Sequence, residues 1–158
     1  MMLSRGKIQE SGDGEAWWRR GARVSLLGDV QEMCGSAGTF FATVGGQYQQ
    51  ALDMFEFTLL CTVALEGHDS LDVAASYTGR GNVHELQGKY EEALEMHSKS
   101  LDIKTRILGG DSHLEVAKSY TSIGVVYYRL GHEQALENFQ KCLDITVRLV
   151  APSTFRKA

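Results

Sequence analysis

The residues that could do chemistry are few and widely spread. Cys34, Cys61 and Cys142 form no Cys-x-x-Cys pair, so neither a zinc knuckle nor a dithiol redox motif is available. Their odd number and wide spacing argue against a disulfide framework, and buried thiols in a reducing compartment are the plain reading. His84 and His97 are expected to approach each other across packed helices. No third or fourth ligand has suitable spacing, so no metal site and no cofactor are expected. Arg80 falls among core positions, where an unpaired guanidinium is costly; it is expected to snorkel outward or to find a carboxylate. Glu91-Glu92 stands where acids favour a helix start and needs no acid–base role. Phosphate-binding glycine loops, His-Glu-x-x-His and Gly-x-Ser-x-Gly are all missing from the chain. An enzyme is not expected, and the remaining chemistry is that of holding another molecule.

The elements that would position these side chains come from an internal repeat. Gly46-Gln47-Tyr48-Gln49-Gln50-Ala51-Leu52 aligns with Gly88-Lys89-Tyr90-Glu91-Glu92-Ala93-Leu94, and then with Gly131-His132-Glu133-Gln134-Ala135-Leu136, which is one residue shorter. Ala51, Ala93 and Ala135 are spaced 42 apart. Upstream, Asp72-Val73-Ala74-Ala75-Ser76-Tyr77 parallels Glu115-Val116-Ala117-Lys118-Ser119-Tyr120. Gly81 and Gly124 are small where one helix of a pair would cross the other at close range. Gly46, Gly88 and Gly131 are expected to end the first helix of each pair with positive φ. Helical spacing of apolar residues predicts pairs near Asp29–Glu66 (with a clear second helix from Tyr48), Leu71–Gln87 with Tyr90–Leu108, and Leu114–Leu130 with Glu133–Val150. Ala93, Leu94, His97, Leu101, Ile107 and Leu108 form the expected inward row of one helix, and Glu95 and Lys99 an outward ion pair.

The blocks Tyr77-x2-Arg80-Gly81-x2-His84 and Tyr120-x2-Ile123-Gly124-x2-Tyr127, followed by Ala51/Phe55 and Ala135/Phe139, fit the frame of the tetratricopeptide repeat, which the chain resembles. HEAT and armadillo repeats have similar periods but lack the Gly…Ala spacing seen from Gly81 to Ala93. The 42-residue period, Tyr90-Glu91-Glu92-Ala93-Leu94, Leu101-Asp102-Ile103-Lys104-Thr105-Arg106-Ile107-Leu108-Gly109 and Leu114 to Tyr120 resemble the longer repeats of kinesin light chains and nephrocystin-3. The resemblance implies an all-α fold, a right-handed αα superhelix of about three helix pairs, whose concave wall is lined by the first helix of each pair. By that register the inward residues are Ala75, Thr78, Asn82, Glu85 and Leu86, then Lys118, Thr121, Val125, Tyr128 and Arg129. Thr78, Asn82, Glu85, Lys118, Thr121, Val125, Tyr128 and Arg129 are the expected partner-binding set: polar contacts plus an aromatic anchor, suited to an extended peptide. Where kinesin light chains carry an Asn-Asn pair, this chain reads Thr78-Gly79 and Thr121-Ser122, so a grip of the same kind is not implied. The heptad coiled coil that joins such proteins to a motor is missing as well.

The organisation expected is an irregular segment over 1–28, a solenoid over 29–150 with repeats near 29–66, 71–109 and 114–150, and a tail over 151–158. Trp17-Trp18-Arg19-Arg20 with Arg23 makes a basic-aromatic cluster that could lean on the first repeat, cap it, dock a partner or touch anionic lipid. Solenoids need a polar cap at each end. None is legible after the third repeat, so its apolar flank is expected to bind a partner, to self-associate or to continue in a longer array. Of the 158 residues, 43% are hydrophobic, enough to build a core, and the net charge of −4 gives no basic footprint for nucleic acid. No apolar run approaches a membrane span and no secretory leader is legible, so a cytoplasmic protein is expected. The reading is a protein-interaction module binding a peptide or partner protein in its groove; the alternative is a structural unit that self-assembles by stacking through uncapped ends.

Overall fold

The computed structural model describes residues 14–151, with side chains from Gly28 onward. Six helices follow in order: α1 (Gly14–Thr43), α2 (Tyr48–Glu66), α3 (Leu71–Leu86), α4 (Tyr90–Leu108), α5 (Leu114–Leu130) and α6 (Gln134–Val150). They pack as three antiparallel pairs, α1–α2, α3–α4 and α5–α6, joined by α2 against α3 and α4 against α5, with α1 also touching α3. The result is an all-α superhelix of three helix pairs, with no strand among the described residues.

Local chemistry explains most of the boundaries. Gly88 and Gly131 adopt φ values of 75° and 73°, a left-handed turn that lets the chain reverse between the two helices of a pair at no Cβ cost. The Ser70 side chain accepts a hydrogen bond from Val73 N at 3.2 Å and caps α3. Residues 1–28 were expected to be irregular, but α1 begins at Gly14. Glycine in a helix carries a penalty of about 1 kcal/mol, which is not a stop signal. Between Gly14 and Gly28 the chain also contains Glu, Ala, Arg and Leu, residues that favour helix. The Trp17–Arg23 side chains, residues 1–13 and the tail beyond Ala151 lie outside the described residues. The predicted inward row of α4 is adjusted too: Met96, Ser100, Ile103 and Lys104 join Ala93 and His97 in the interior, while Ile107 is exposed.

Each pair is closed by one ring of the second helix lying against glycine backbone of the first. A Cβ on Gly81 would sit 2.7 Å from the His97 ring, and one on Gly124 would sit 2.8 Å from Phe139. In the first pair Phe55 is enclosed from two sides. A Cβ on Gly38 of α1 would lie 2.9 Å from its ring, and one on Gly79 of α3 only 2.3 Å. Phe55 therefore binds its own pair and the next one together, in a cluster with Ala42, Ala51 and Val83. An added methyl at Gly79 would therefore have to push the ring toward α1, where Gly38 already lies against it. Gly79→Ala is expected to lower stability by about 1–3 kcal/mol in urea unfolding. Gly35→Ala, where a Cβ meets nothing within 4 Å, should stabilise α1 by up to about 1 kcal/mol. Equal effects at the two positions would mean that Phe55 is not held between the glycines.

Candidate functional site

The residues predicted to line the concave wall lie on α3 and α5, the first helices of the second and third pairs. The structure separates them into two groups. Thr78 and Thr121 are partly engaged inside the pairs. The Thr78 hydroxyl donates to Ala74 O at 3.1 Å and lies 2.8 Å from Ser100 Oγ of α4. The Thr121 hydroxyl reaches Ala117 O at 3.2 Å and Cys142 Sγ of α6 at 3.0 Å. The two arrangements are copies of one device, a threonine on the first helix facing a small polar group on the second. Ser100 and Cys142, 42 residues apart, are the signal that would have found it.

The charged members are paired within the chain. Arg129 Nε lies 3.2 Å from Glu85 Oε1 and so ties α5 to α3 along the wall. Lys118 Nζ meets Glu115 Oε1 at 2.7 Å. Glu115 also receives Lys104 Nζ from α4 at 3.8 Å, and Lys104 donates to Ser119 Oγ at 3.1 Å. Lys104 is buried at the joint between the second and third pairs. Burial pulls its ammonium below the usual lysine range, and Glu115 works against that shift. The predicted set did not include Lys104, because its position reads as one more polar residue of an amphipathic helix.

What remains facing outward is Asn82, Leu86 and Tyr128, with Val125 half-buried. Asn82 and Leu86 border a cavity of about 110 Å³ that also touches Thr39, Thr43 and Phe55, between α1 and α3. Tyr128 is 73% exposed and lies at the other end, in an open hollow with His132, Leu136, Phe139 and Gln140 of the last pair. The wall thus offers an amide and an apolar side chain at one end and an aromatic anchor at the other, bridged by the Glu85–Arg129 pair. Among the described residues there is no group of three histidine, cysteine or acidic side chains placed to hold a metal ion. Among the described residues, no helix is long and apolar enough to cross a membrane.

Behind the wall, the second pair carries an anomaly. His97 takes the position of Phe55 and Phe139 and is 1% exposed, with Nε2 lacking a hydrogen-bond partner. Close by in sequence, Arg80 Nε and His84 Nδ1 are also buried without a hydrogen-bond partner. Burial, and then the charge of Lys104, push the His97 imidazole down to about 4.

A stack of antiparallel helix pairs with a continuous inner wall and paired internal charges defines a helical solenoid of the interaction-scaffold class. The tetratricopeptide repeat family model matches residues 40–106 and again 79–146, and the chain belongs to that family. The fold is similar to BtubC (BKLC) from P. vanneervenii at 18% identity and a TM-score of 0.65, covering 86% of this chain and 57% of that one. It is similar to the nearly identical TPR-like repeats of a kinesin light chain-like protein from Podosopora anserina at 19% identity and a TM-score of 0.63, covering 80% and 57%. It is also similar to the TPR domain of Arabidopsis FLU at 26% identity and a TM-score of 0.59, covering 80% of this chain and 99% of that one. The chain spans a little over half the length of the first two. A comparison with curated proteins finds no match.

The buried imidazole makes stability depend on pH in a defined direction. The unfolded chain binds a proton at His97 near the ordinary value of 6.5, while the folded chain resists it down to about 4. Stability is therefore expected to fall as pH drops from 6.5 toward 4, by about 2 kcal/mol from this residue. His97→Phe should raise stability at pH 7 by about 1 kcal/mol and flatten the acid limb of a melting-temperature profile. An unchanged acid limb would remove His97 as its cause.

Proposed function

We propose that this protein is a cytoplasmic adaptor, similar in kind to kinesin light chain repeats, that holds an extended peptide segment of a partner protein along the concave wall formed by α3 and α5. The observation that carries the reading is the exposed Tyr128 at one end of a wall whose charges are already paired. A ligand meets few unsatisfied charges there and finds an aromatic anchor, the residue type that most often dominates peptide affinity. Glu85 and Arg129 serve as a rigid rail, and Asn82 offers backbone-type hydrogen bonding to an extended chain. Lys118, Thr121, Thr78 and Val125 shape the wall. The reading has no catalytic step, cofactor, metal or nucleic acid in it.

A second reading has its own support. Leu136, Leu143, Val147 and Val150 form an exposed apolar row on α6, which favours self-association through the last helix pair as a structural role.

Random peptides displayed on phage and selected against the full chain supply the probe. The best binder, made as a free peptide, is expected to lose affinity at least about tenfold on Tyr128→Ala and less on Arg129→Ala, whose loss also frees Glu85. Peptides that bind with Tyr128→Ala and Asn82→Ala as tightly as with the parent chain would place the contact away from the wall.

A further inference from the structure

The two internal joints of the solenoid show what the outer face of a second helix and the leading face of a first helix are built to meet. At the first joint, Leu59 and Val63 of α2 pack on Val73 and Ala74 of α3, and Val83 of α3 is buried with Ala51 and Phe55. At the second, Leu101 and Leu108 of α4 pack on Val116 and Ala117 of α5. Ser119 of α5 takes the hydrogen bond from Lys104. The contacts of Leu59 with Val73 and Ala74, and of Leu101 with Val116 and Ala117, repeat with the period of the sequence.

Carried one repeat further, the same register reaches surfaces that nothing covers among the described residues. Leu101 becomes Leu143 on α6 and Leu108 becomes Val150, each 42 residues on, while Leu59 and Val63 reach Leu143 and Val147 two periods on, with Thr105 at the intermediate position of the latter. Leu143 is 54% exposed. Carried backward by 43 residues from α3, Val83 becomes Phe40 on α1, and Ser76, buried like Ser119, becomes Met33. Val83 is 1% exposed and Phe40 is 58%; Met33 is exposed as well. Each exposed face is therefore apolar where its counterpart inside the stack is covered. The α1 face is the kind of surface that the α6 face is built to receive, because both belong to one repeating joint. The outward row Leu136, Leu143, Val147 and Val150 is exposed and apolar.

Building on the self-association reading above, we infer that the occupant of the α6 face is the α1 face of a second copy of this chain. The copies add head to tail: in the register of the internal joints, Leu143 and Val147 of one take Val30 of the next, and Ala135 and Phe139 take Phe40. The contact is heterologous: each copy keeps one free face of each kind after pairing, so the assembly grows into a continued solenoid instead of closing as a symmetric dimer. The concave wall then runs on from copy to copy, and Tyr128 lies at the joint.

The test is sedimentation velocity of the full chain over a wide concentration range, with Leu143→Glu and Phe40→Glu alone and mixed. The parent chain should show a ladder of species beyond the dimer as concentration rises. Each variant alone should be monomeric where the parent associates, an affinity loss of at least about tenfold from the buried carboxylate. Leu143→Glu keeps an intact α1 face and Phe40→Glu an intact α6 face, so their equimolar mixture should form a one-to-one dimer and stop there. Association of Phe40→Glu with itself, abolished only by Leu143→Glu, would overturn the proposal in favour of α6 pairing with α6. Association that neither variant disturbs would overturn it in favour of another surface, while self-association would stand. A parent chain that is monomeric throughout would sink the self-association reading as well. Circular dichroism checks that each variant is helical, and Leu143→Ser with Phe40→Ser replaces any that is not.

Discussion

The contact between an aromatic ring on the second helix of a pair and bare glycine backbone on the first sets the geometry of the whole chain. With no Cβ in the way at Gly81 and Gly124, the two axes approach until the rings of His97 and Phe139 rest on the backbone. That close approach lets Ala93 and Ala135 disappear into the crossing. At Phe55 the same ring is shared between Gly38 and Gly79, so the contact that closes the first pair also docks the second. Interiors packed at crystal-like density transmit such a constraint directly. A displaced ring would move the angle between pairs and with it the curvature of the inner wall.

The second pair tolerates a chemistry that the others do not. His97 brings a buried nitrogen without a partner into a position where Phe55 and Phe139 supply only carbon, and Arg80 and His84 do the same where the third pair has Ile123 and Tyr127. Beside them, Lys104 crosses from α4 to Ser119 and Glu115 on α5. The middle of the solenoid is thus joined to its last pair by a buried cation and to its first by an apolar ring. Breaking the Lys104 arrangement on one side only would strand a charge, whereas an apolar replacement on both sides would not. Burial is the main reason the imidazole stays neutral, and the nearby Lys104 ammonium adds to it.

The wall and the ends divide the interaction surface between them. Along the wall, Glu85 with Arg129 and Lys118 with Glu115 are satisfied internally, so the binding proposed there would rest on shape, an amide and an exposed tyrosine more than on charge. Among the described residues, the apolar faces of α1 and α6 are exposed, while the corresponding internal faces are covered by the neighbouring pair. Quasi-one-dimensional stacks gain stability from each interface that forms, and an uncovered face is the place where one more such gain is available.

Much of the fold could be read from the amino-acid order alone, because the determinants are local and periodic. The spacing of Ala51, Ala93 and Ala135, the turn glycines Gly88 and Gly131, and the apolar rows of α2 to α6 name the family, the helix count and nearly every boundary. The start of α1 was not legible, since scattered glycines weaken a helix without ending it and only its packing on α2 and α3 decides. The wall positions were legible as a register, but their contacts were not: pairing of Glu85 with Arg129 and the cross-helix contacts of Thr78 and Thr121 depend on residues 21 to 44 apart in sequence coming within hydrogen-bond range. Burial of Lys104 and exposure of Leu143 and Phe40 were decided in the same way. A side chain's surroundings are set by which helix lies across from it, and that is a property of the assembled stack.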